Sequence, residues 1–340
     1  MMRRVYLGST GLAVSELALG TQTFGWGADP ETSWEMADRF VEEGGLLFDS
    51  SSTYGAGTSE KILGSWLKAR GCRNSVVIAT KVFFPTGTGV NDFGLSRRHL
   101  LQSVEESLTR LGTDHVDLYQ AHCWDAATPL EETLRALDDL VRAGKVRYVG
   151  VSNFTASQLV RAVCLARSHG WSAPVSLQAE YSLLVRSTEW ELLPVCREEG
   201  LALLAWSPLA GGWLTAKYRK GEAADPQSRV GRGERWDDQP AQRESDLAWN
   251  VIDRLREIAK SRGKTPTQVA INFLRRRSDL VVPIFGARTK DQLCENLGSV
   301  GWELTLEEMA VLEKASDTPL PYPYRFIERY TRRRESPELP

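Results

Sequence analysis

Eight short apolar runs recur along the chain, and helix-like stretches separate them. They are "LALG" ending at Gly20, "LLFDS" from Leu46, "VVIAT" from Val76, "VDLYQ" from Val116, "VRYVGVS" from Val146, "VSLQA" from Val175, "LALLAW" from Leu201 and "LVVPI" from Leu280. Near-continuous apolar strands of this kind must be covered on both faces, which is the condition of parallel strands. Their spacing is roughly 30 residues per repeat, the length of a βαβ unit. Eight such units predict an α/β chain closed as a (β/α)8 TIM barrel. The rival, an open doubly wound sheet, calls for a GxGxxG fingerprint after an early strand, and the chain contains none.

The intervening segments carry helical periodicity. "PLEETLRALDDLVRAGK" places Leu130, Leu134, Leu137 and Val141 on one face, and "RHLLQSVEESLTRLG" does the same with Leu101, Val104, Leu108 and Leu111. The opening "RRVYL", "GSTG", "AVSELALG" reads as a β-hairpin within residues 1–16. One interval breaks the rhythm: about seventy residues separate "LALLAW" from "LVVPI", and so long a connection in a compact domain is usually functional or disordered. It divides into a loop over 207–244 and an extra helix with Leu247, Val251, Leu255 and Ile258 on one face. Nothing in the composition marks a linker, so residues 1–340 are expected to form one domain with a C-terminal tail over 317–340.

Composition excludes several functions. A formal net charge of −2 offers no field for nucleic acid or anionic lipid. Five scattered cysteines lack CxxC spacing, and no metal-ligand spacing appears around the four histidines. No signal-like or membrane-length apolar run is present. The expectation is a cytoplasmic protein without a metal site and with no nucleic-acid or membrane partner.

In such barrels the chemistry stands at the carboxyl ends of the strands. Read in order, those ends carry Asp49, Lys81, His122, Ser152 with Asn153, Gln178, and Trp206 with Ser207. Singly each has a bland reading as a turn former or solvated side chain; in succession at equivalent positions they describe a site. "FDSSSTYGAGTSE" places Tyr54 five residues beyond Asp49. Asp49 and Lys81 on neighbouring strands would pair, and a lysine cation beside Tyr54 would lower its phenol pKa and make it a general acid. His122 would direct a substrate carbonyl and Tyr54 would protonate it. The missing reactant is a hydride, which implies a nicotinamide cofactor.

The chain resembles the aldo-keto reductases over nearly its whole length. "FDSSSTYGAGTSE", "IATKV", "LYQAH", "GKVRYVGVSNF", "LQAEYSLL", "WSPLAGGWLTAKY" and "PIFGARTKDQLCENL" carry the resemblance. It implies that Asp49, Tyr54, Lys81 and His122 form the family's catalytic tetrad. It also implies that Thr21 and Asp49 bind NADP(H), and that Ser152, Asn153 and Gln178 hydrogen-bond its nicotinamide carboxamide. Trp206 occupies the position that stacks on the nicotinamide, and tryptophan there resembles the branch that includes the potassium-channel β subunits. Ser207, Pro208, Leu209, Gly211 and Lys217 match the loop over the pyrophosphate, with Arg229 on the adenosine side. Gly286, Arg288, Gln292, Glu295 and Asn296 match the adenosine-phosphate segment. That segment opens a helix whose N-terminus suits phosphate, and Arg288 can add a charged bond to a 2′-phosphate, which favours NADPH. Gly286-Ala287 stand where better-known members have a Lys-Ser pair. Phe24, Trp26, Trp124, Tyr322 and Tyr324 are candidate substrate contacts. The implied reaction is reduction of an aldehyde, ketone or sugar carbonyl. The alternatives are a nucleotide-linked keto-sugar reductase and a nicotinamide-binding regulatory subunit.

Overall fold

The computed structural model describes residues 2–222, 224 and 244–335. A two-stranded antiparallel hairpin, β1 (Arg4–Tyr6) and β2 (Ala13–Ser15), precedes eight parallel strands that close into a barrel. These are β3 (Ala18–Gly20), β4 (Leu47–Asp49), β5 (Val77–Val82), β6 (Val116–Ala121), β7 (Val146–Ser152), β8 (Ser176–Glu180), β9 (Ala202–Trp206) and β10 (Val281–Phe285). They pair in chain order, and β10 closes the ring against β3. All eight runs read from the sequence are strands of this barrel.

Helices cover the outside: α1 (Pro30–Glu42), α2 (Thr58–Arg70), α3 (Arg97–Leu111), α4 (Leu130–Arg142), α5 (Ala156–Ser168) and α6 (Leu192–Glu199). After the long connection follow α7 (Asp246–Arg262), α8 (Pro266–Arg277), α9 (Lys290–Leu297), α10 (Leu306–Ala315) and α11 (Tyr324–Glu335). Their starts are legible in local chemistry. Thr155, Thr265 and Thr305 each cap a helix in a reciprocal pair with a Gln or Glu three residues on. The expected extra helix is α7, which buries Val251, Leu255 and Ile258. On α3 the buried stripe runs through Leu100, Val104, Leu108 and Leu111, and Leu101 sits at its edge. The expected C-terminal tail contains α11, a helix that the sequence reading did not anticipate.

Two apolar layers follow from the two faces of each strand. The outward faces pack against the helices as the main core. The inward faces supply Ala18, Leu47, Val77, Ala79, Leu118, Ala202, Leu204, Val282 and Ile284, which fill the lower barrel with Leu7 and Val14 of the hairpin. Ser9 N–H donates to Gly200 O at 2.7 Å just before β9, so the hairpin closes the amino-terminal end of the barrel. The opposite end is left for the polar residues.

Candidate active site

The site is built by the period of two along each strand. Leu47 is in the inner apolar layer and Asp49, two residues on, stands above it; Ala79 is followed by Lys81, and Leu118 by Gln120. Parallel pairing sets Asp49 beside Ala79 and Lys81 beside Gln120. The polar ends thus rise as one tier from an apolar floor.

Lys81 is fully buried, and its ammonium donates to Asp49 Oδ2 at 2.6 Å, Ser50 O at 2.8 Å and Tyr54 OH at 3.2 Å. The other carboxylate oxygen of Asp49 accepts from Gln178 Nε2 at 2.8 Å and Gln120 Nε2 at 3.3 Å. Tyr54 reaches the lysine through a tight turn: Gly55, Ala56 and Gly57 all have positive φ, of 56°, 52° and 86°. Two glycines make that left-handed run affordable. The Tyr54 and His122 rings meet edge-on with centroids 6.1 Å apart. Asp49, Tyr54, Lys81 and His122 therefore come together as expected.

Their electrostatics differ from the expectation in one respect. The Lys81 cation does pull the Tyr54 phenol down, but burial pushes it up more strongly and Asp49 adds to that push, so its pKa lies above the ordinary value. The charge of Lys81 is largely answered by a carboxylate 2.6 Å away. For Lys81 burial acts against the charge, but the fields of Asp49 and Tyr54 outweigh it and raise its pKa. Burial, aided by Lys81, holds His122 well below the usual imidazole range. Near neutral pH the site therefore holds a protonated phenol, an ammonium and a neutral imidazole.

Among the residues expected to bind the cofactor, Gln178 and Asn153 reach this tier directly, through Asp49 and His122. Ser152 Oγ is buried and without a hydrogen-bond partner, an orphan of the kind a polar ligand satisfies. Gln178 spends its amide nitrogen on Asp49 and Gln120, which leaves its carbonyl oxygen as the end for an incoming N–H. Asn153, at φ 57°, bonds His122 O through Nδ2 and accepts from Trp206 Nε1 at 3.2 Å, so it braces the half-buried indole. Thr21 is engaged inside the fold by Ser59. These groups fit a carboxamide and a flat ring. Beyond Trp206 the chain turns through Ser207, Ala210, Gly211 and Gly212, all at positive φ, with Pro208 and Leu209 between them. The Lys217 ammonium returns to Gly212: a methyl there would lie 3.2 Å from it. Arg229, like the other arginines at 232 and 235, lies outside the described residues.

On the far side of the mouth, Thr289 caps α9 by accepting from Gln292 N–H, and Arg288 N–H donates to Gln292 Oε1 at 2.9 Å. Asn296 Nδ2 donates to Gly286 O, and Glu295 lies one residue earlier on the same short helix. The Arg288 guanidinium stacks 5.1 Å from the centroid of Trp26. Of the aromatic candidates, Phe24 is buried in the core and is corrected to a structural role: its strand-end position suggested the mouth, but the chain turns it inward. Trp26 is exposed, Trp124 packs edge-on against Phe154, and Tyr324 lies 5.8 Å from Trp190.

Three residues escaped the sequence reading. Phe84 sits over His122 with centroids 4.9 Å apart and is 40% exposed. Gln120 holds Asp49 from inside β6; the alternation Leu118, Gln120, His122 was the available signal, but only the strand's end was scored. Ser51 touches His122 from the hydroxyl run. Among the described residues no group of three or more His, Cys, Asp or Glu could hold a metal, and no helix is long and apolar enough to cross a membrane.

Comparison with known proteins gives one consistent result. The model of the Aldo/keto reductase family matches residues 16–317. The chain is similar to the uncharacterized oxidoreductase YrpG of Bacillus subtilis, at 37% identity over 92% of this chain and 95% of that one. It is similar to versiconal hemiacetal acetate reductase of Aspergillus parasiticus, at 35% identity over 92% and 96% respectively. It is also similar to norsolorinic acid reductase stcV of Emericella nidulans, at 33% over 95% and 84%.

Proposed function

Because the chain belongs to the aldo/keto reductase family, we propose that it is a cytoplasmic NADPH-dependent enzyme that reduces aldehyde or ketone carbonyls on small molecules. The observation that carries this reading is the Lys81 ammonium, buried and shared between Asp49 and Tyr54 OH with His122 alongside. A bound reduced nicotinamide supplies the hydride. Ser152, Asn153, Gln178 and Trp206 would hold its ring end, and the turn from Ser207 to Lys217 would approach its pyrophosphate. His122, neutral, donates a hydrogen bond to the carbonyl oxygen and fixes its direction. Tyr54, protonated, delivers a proton to that oxygen as negative charge develops on it. Lys81 keeps a cation behind the phenol, so that the phenolate left after proton transfer is stabilised.

Phe84, partly exposed over His122, gives the mouth an apolar, aromatic wall. That wall favours flat or apolar carbonyl compounds over nucleotide-linked keto sugars. The test is NADPH oxidation by the purified protein against small aldehydes, ketones, dicarbonyls and keto sugars. Turnover confined to keto sugars would overturn the substrate reading, and no turnover with any carbonyl would overturn the activity.

Cofactor choice is tested separately at Arg288. The variant Arg288→Ala is expected to weaken NADPH by about 1.5–3 kcal/mol, the range for a charged hydrogen bond, and to leave NADH nearly unchanged. Titration of both cofactors by tryptophan fluorescence measures this. Equal weakening would place Arg288 in a structural role, through its stack on Trp26.

A further inference from the structure

The run Ser50-Ser51-Ser52-Thr53, between the strand-end acid and Tyr54, lends the chemistry above only the Ser50 carbonyl, which accepts from Lys81, and none of its hydroxyls. One of its members nevertheless reaches that chemistry. Ser51 Oγ lies 3.2 Å from Nδ1 of His122 and 3.1 Å from Thr53 Oγ1. Past Asp49 the chain goes on bonding to β5, with Ser50 N–H to Ala79 O at 2.8 Å and Ser52 N–H to Lys81 O at 3.2 Å. His122 N–H donates to Val82 O at 2.9 Å from the other side. Ser51 and His122 therefore flank the same end of β5, and Ser51 is fully buried there.

We propose that Ser51 is a positioning residue whose hydroxyl donates to Nδ1 of His122 and so holds the ring in the tautomer that carries its proton on Nε2. The proposal rests on the reading of His122 as the group that orients the carbonyl. The tautomer of a neutral imidazole is set by the bond its other nitrogen makes. His122 is neutral because burial and the Lys81 cation disfavour its charge, so one ring nitrogen is a donor and the other an acceptor.

The surroundings of Ser51 are consistent with that direction. Its oxygen is already approached by the Thr53 N–H at 3.4 Å, and the Thr53 hydroxyl, 3.1 Å away, can donate to it as well. With the Thr53 hydroxyl donating, as the proposal requires, the one proton of Ser51 is directed at Nδ1. Nε2 then holds the ring proton and can give a hydrogen bond to the substrate. Each donor in the series Thr53, Ser51, His122 polarises the next. The opposite wiring, with Nδ1–H donating to Ser51, would leave Nε2 an acceptor that repels a carbonyl oxygen. The two wirings therefore put the ring proton on different nitrogens.

Ring-nitrogen NMR of the full-length protein labelled with 15N-histidine distinguishes them, with the His122 signals identified by their loss in His122→Gln. Nε2 is expected to be protonated and Nδ1 bare but hydrogen-bonded. In Ser51→Ala the Nδ1 signal moves and some proton density shifts to Nδ1. With it kcat falls about 2- to 10-fold, the factor for one neutral hydrogen bond, while NADPH affinity is unchanged. Ser51→Thr, which restores a hydroxyl, returns both the ring signals and kcat toward the parent values. A parent protein with its proton on Nδ1, or ring signals unaltered in Ser51→Ala, would overturn the proposal. Full turnover in His122→Gln would instead remove the reading beneath it, and would be seen without any change at Ser51.

Discussion

Tyr54→Phe lowers carbonyl reduction by about 10²-fold or more, the scale of general acid catalysis, and leaves cofactor binding in place. The substitution removes only the hydroxyl. The ring that stands over the Lys81 ammonium, 4.9 Å from its centroid, remains, as does the turn through Gly55 and Gly57. Because burial raises the phenol pKa above its ordinary value, the parent protein keeps Tyr54 protonated throughout the neutral range. Turnover is therefore expected to stay level there and to decline only in alkali, as the phenol loses its proton. His122, held neutral, adds no step near neutrality. The NADPH-induced quenching of tryptophan fluorescence reports binding separately from turnover. A Phe variant with parental turnover would show that the proton comes from elsewhere.

The barrel was legible because its strands are near-continuously apolar and recur at the spacing of a βαβ unit, and that pattern survives any detail of packing. The grouping of Asp49, Tyr54, Lys81 and His122 was legible because they stand at strand ends or, for Tyr54, at a fixed step beyond one. What the sequence did not disclose was carried by the third dimension. Lys81 reads as a residue after a strand but lies inside β5, and its full burial makes Asp49 an obligatory partner. The same burial reverses the expected direction of the Tyr54 pKa, since desolvation is invisible in a list of neighbours along the chain. Phe84 was missed because its loop after β5 has no period, and only folding brings it over His122. Phe24 failed in the opposite sense: an aromatic near a strand end looked like a pocket wall, but the turn after β3 directs it into the core. The helix α11 was missed because the tail was read as one piece, and its prolines at 319, 321 and 323 hide the start of a helix at Tyr324.

Lys81→Met is expected to cost about 3–5 kcal/mol of folding stability, the range for removing one member of a buried ion pair, and to lower turnover by about 10²-fold, the scale for losing one charge-stabilising donor. Methionine nearly matches the length of the lysine stem, so the loss lies in the charge and its three bonds. Without the ammonium, Asp49 is left as a buried carboxylate held only by Gln178 and Gln120, and Ser50 O and Tyr54 OH each lose a donor. The double variant Asp49→Asn/Lys81→Met removes the uncompensated charge and is expected to regain most of the stability while turnover stays low. Urea unfolding separates the two effects: the midpoint falls in the single variant and recovers in the double one, with an unchanged slope. A double variant as unstable as the single one would assign the cost to lost packing. A single variant as stable as the parent would mean that the Asp49–Lys81 pair does not hold the barrel mouth, and its geometry would then serve the proton transfer from Tyr54 alone.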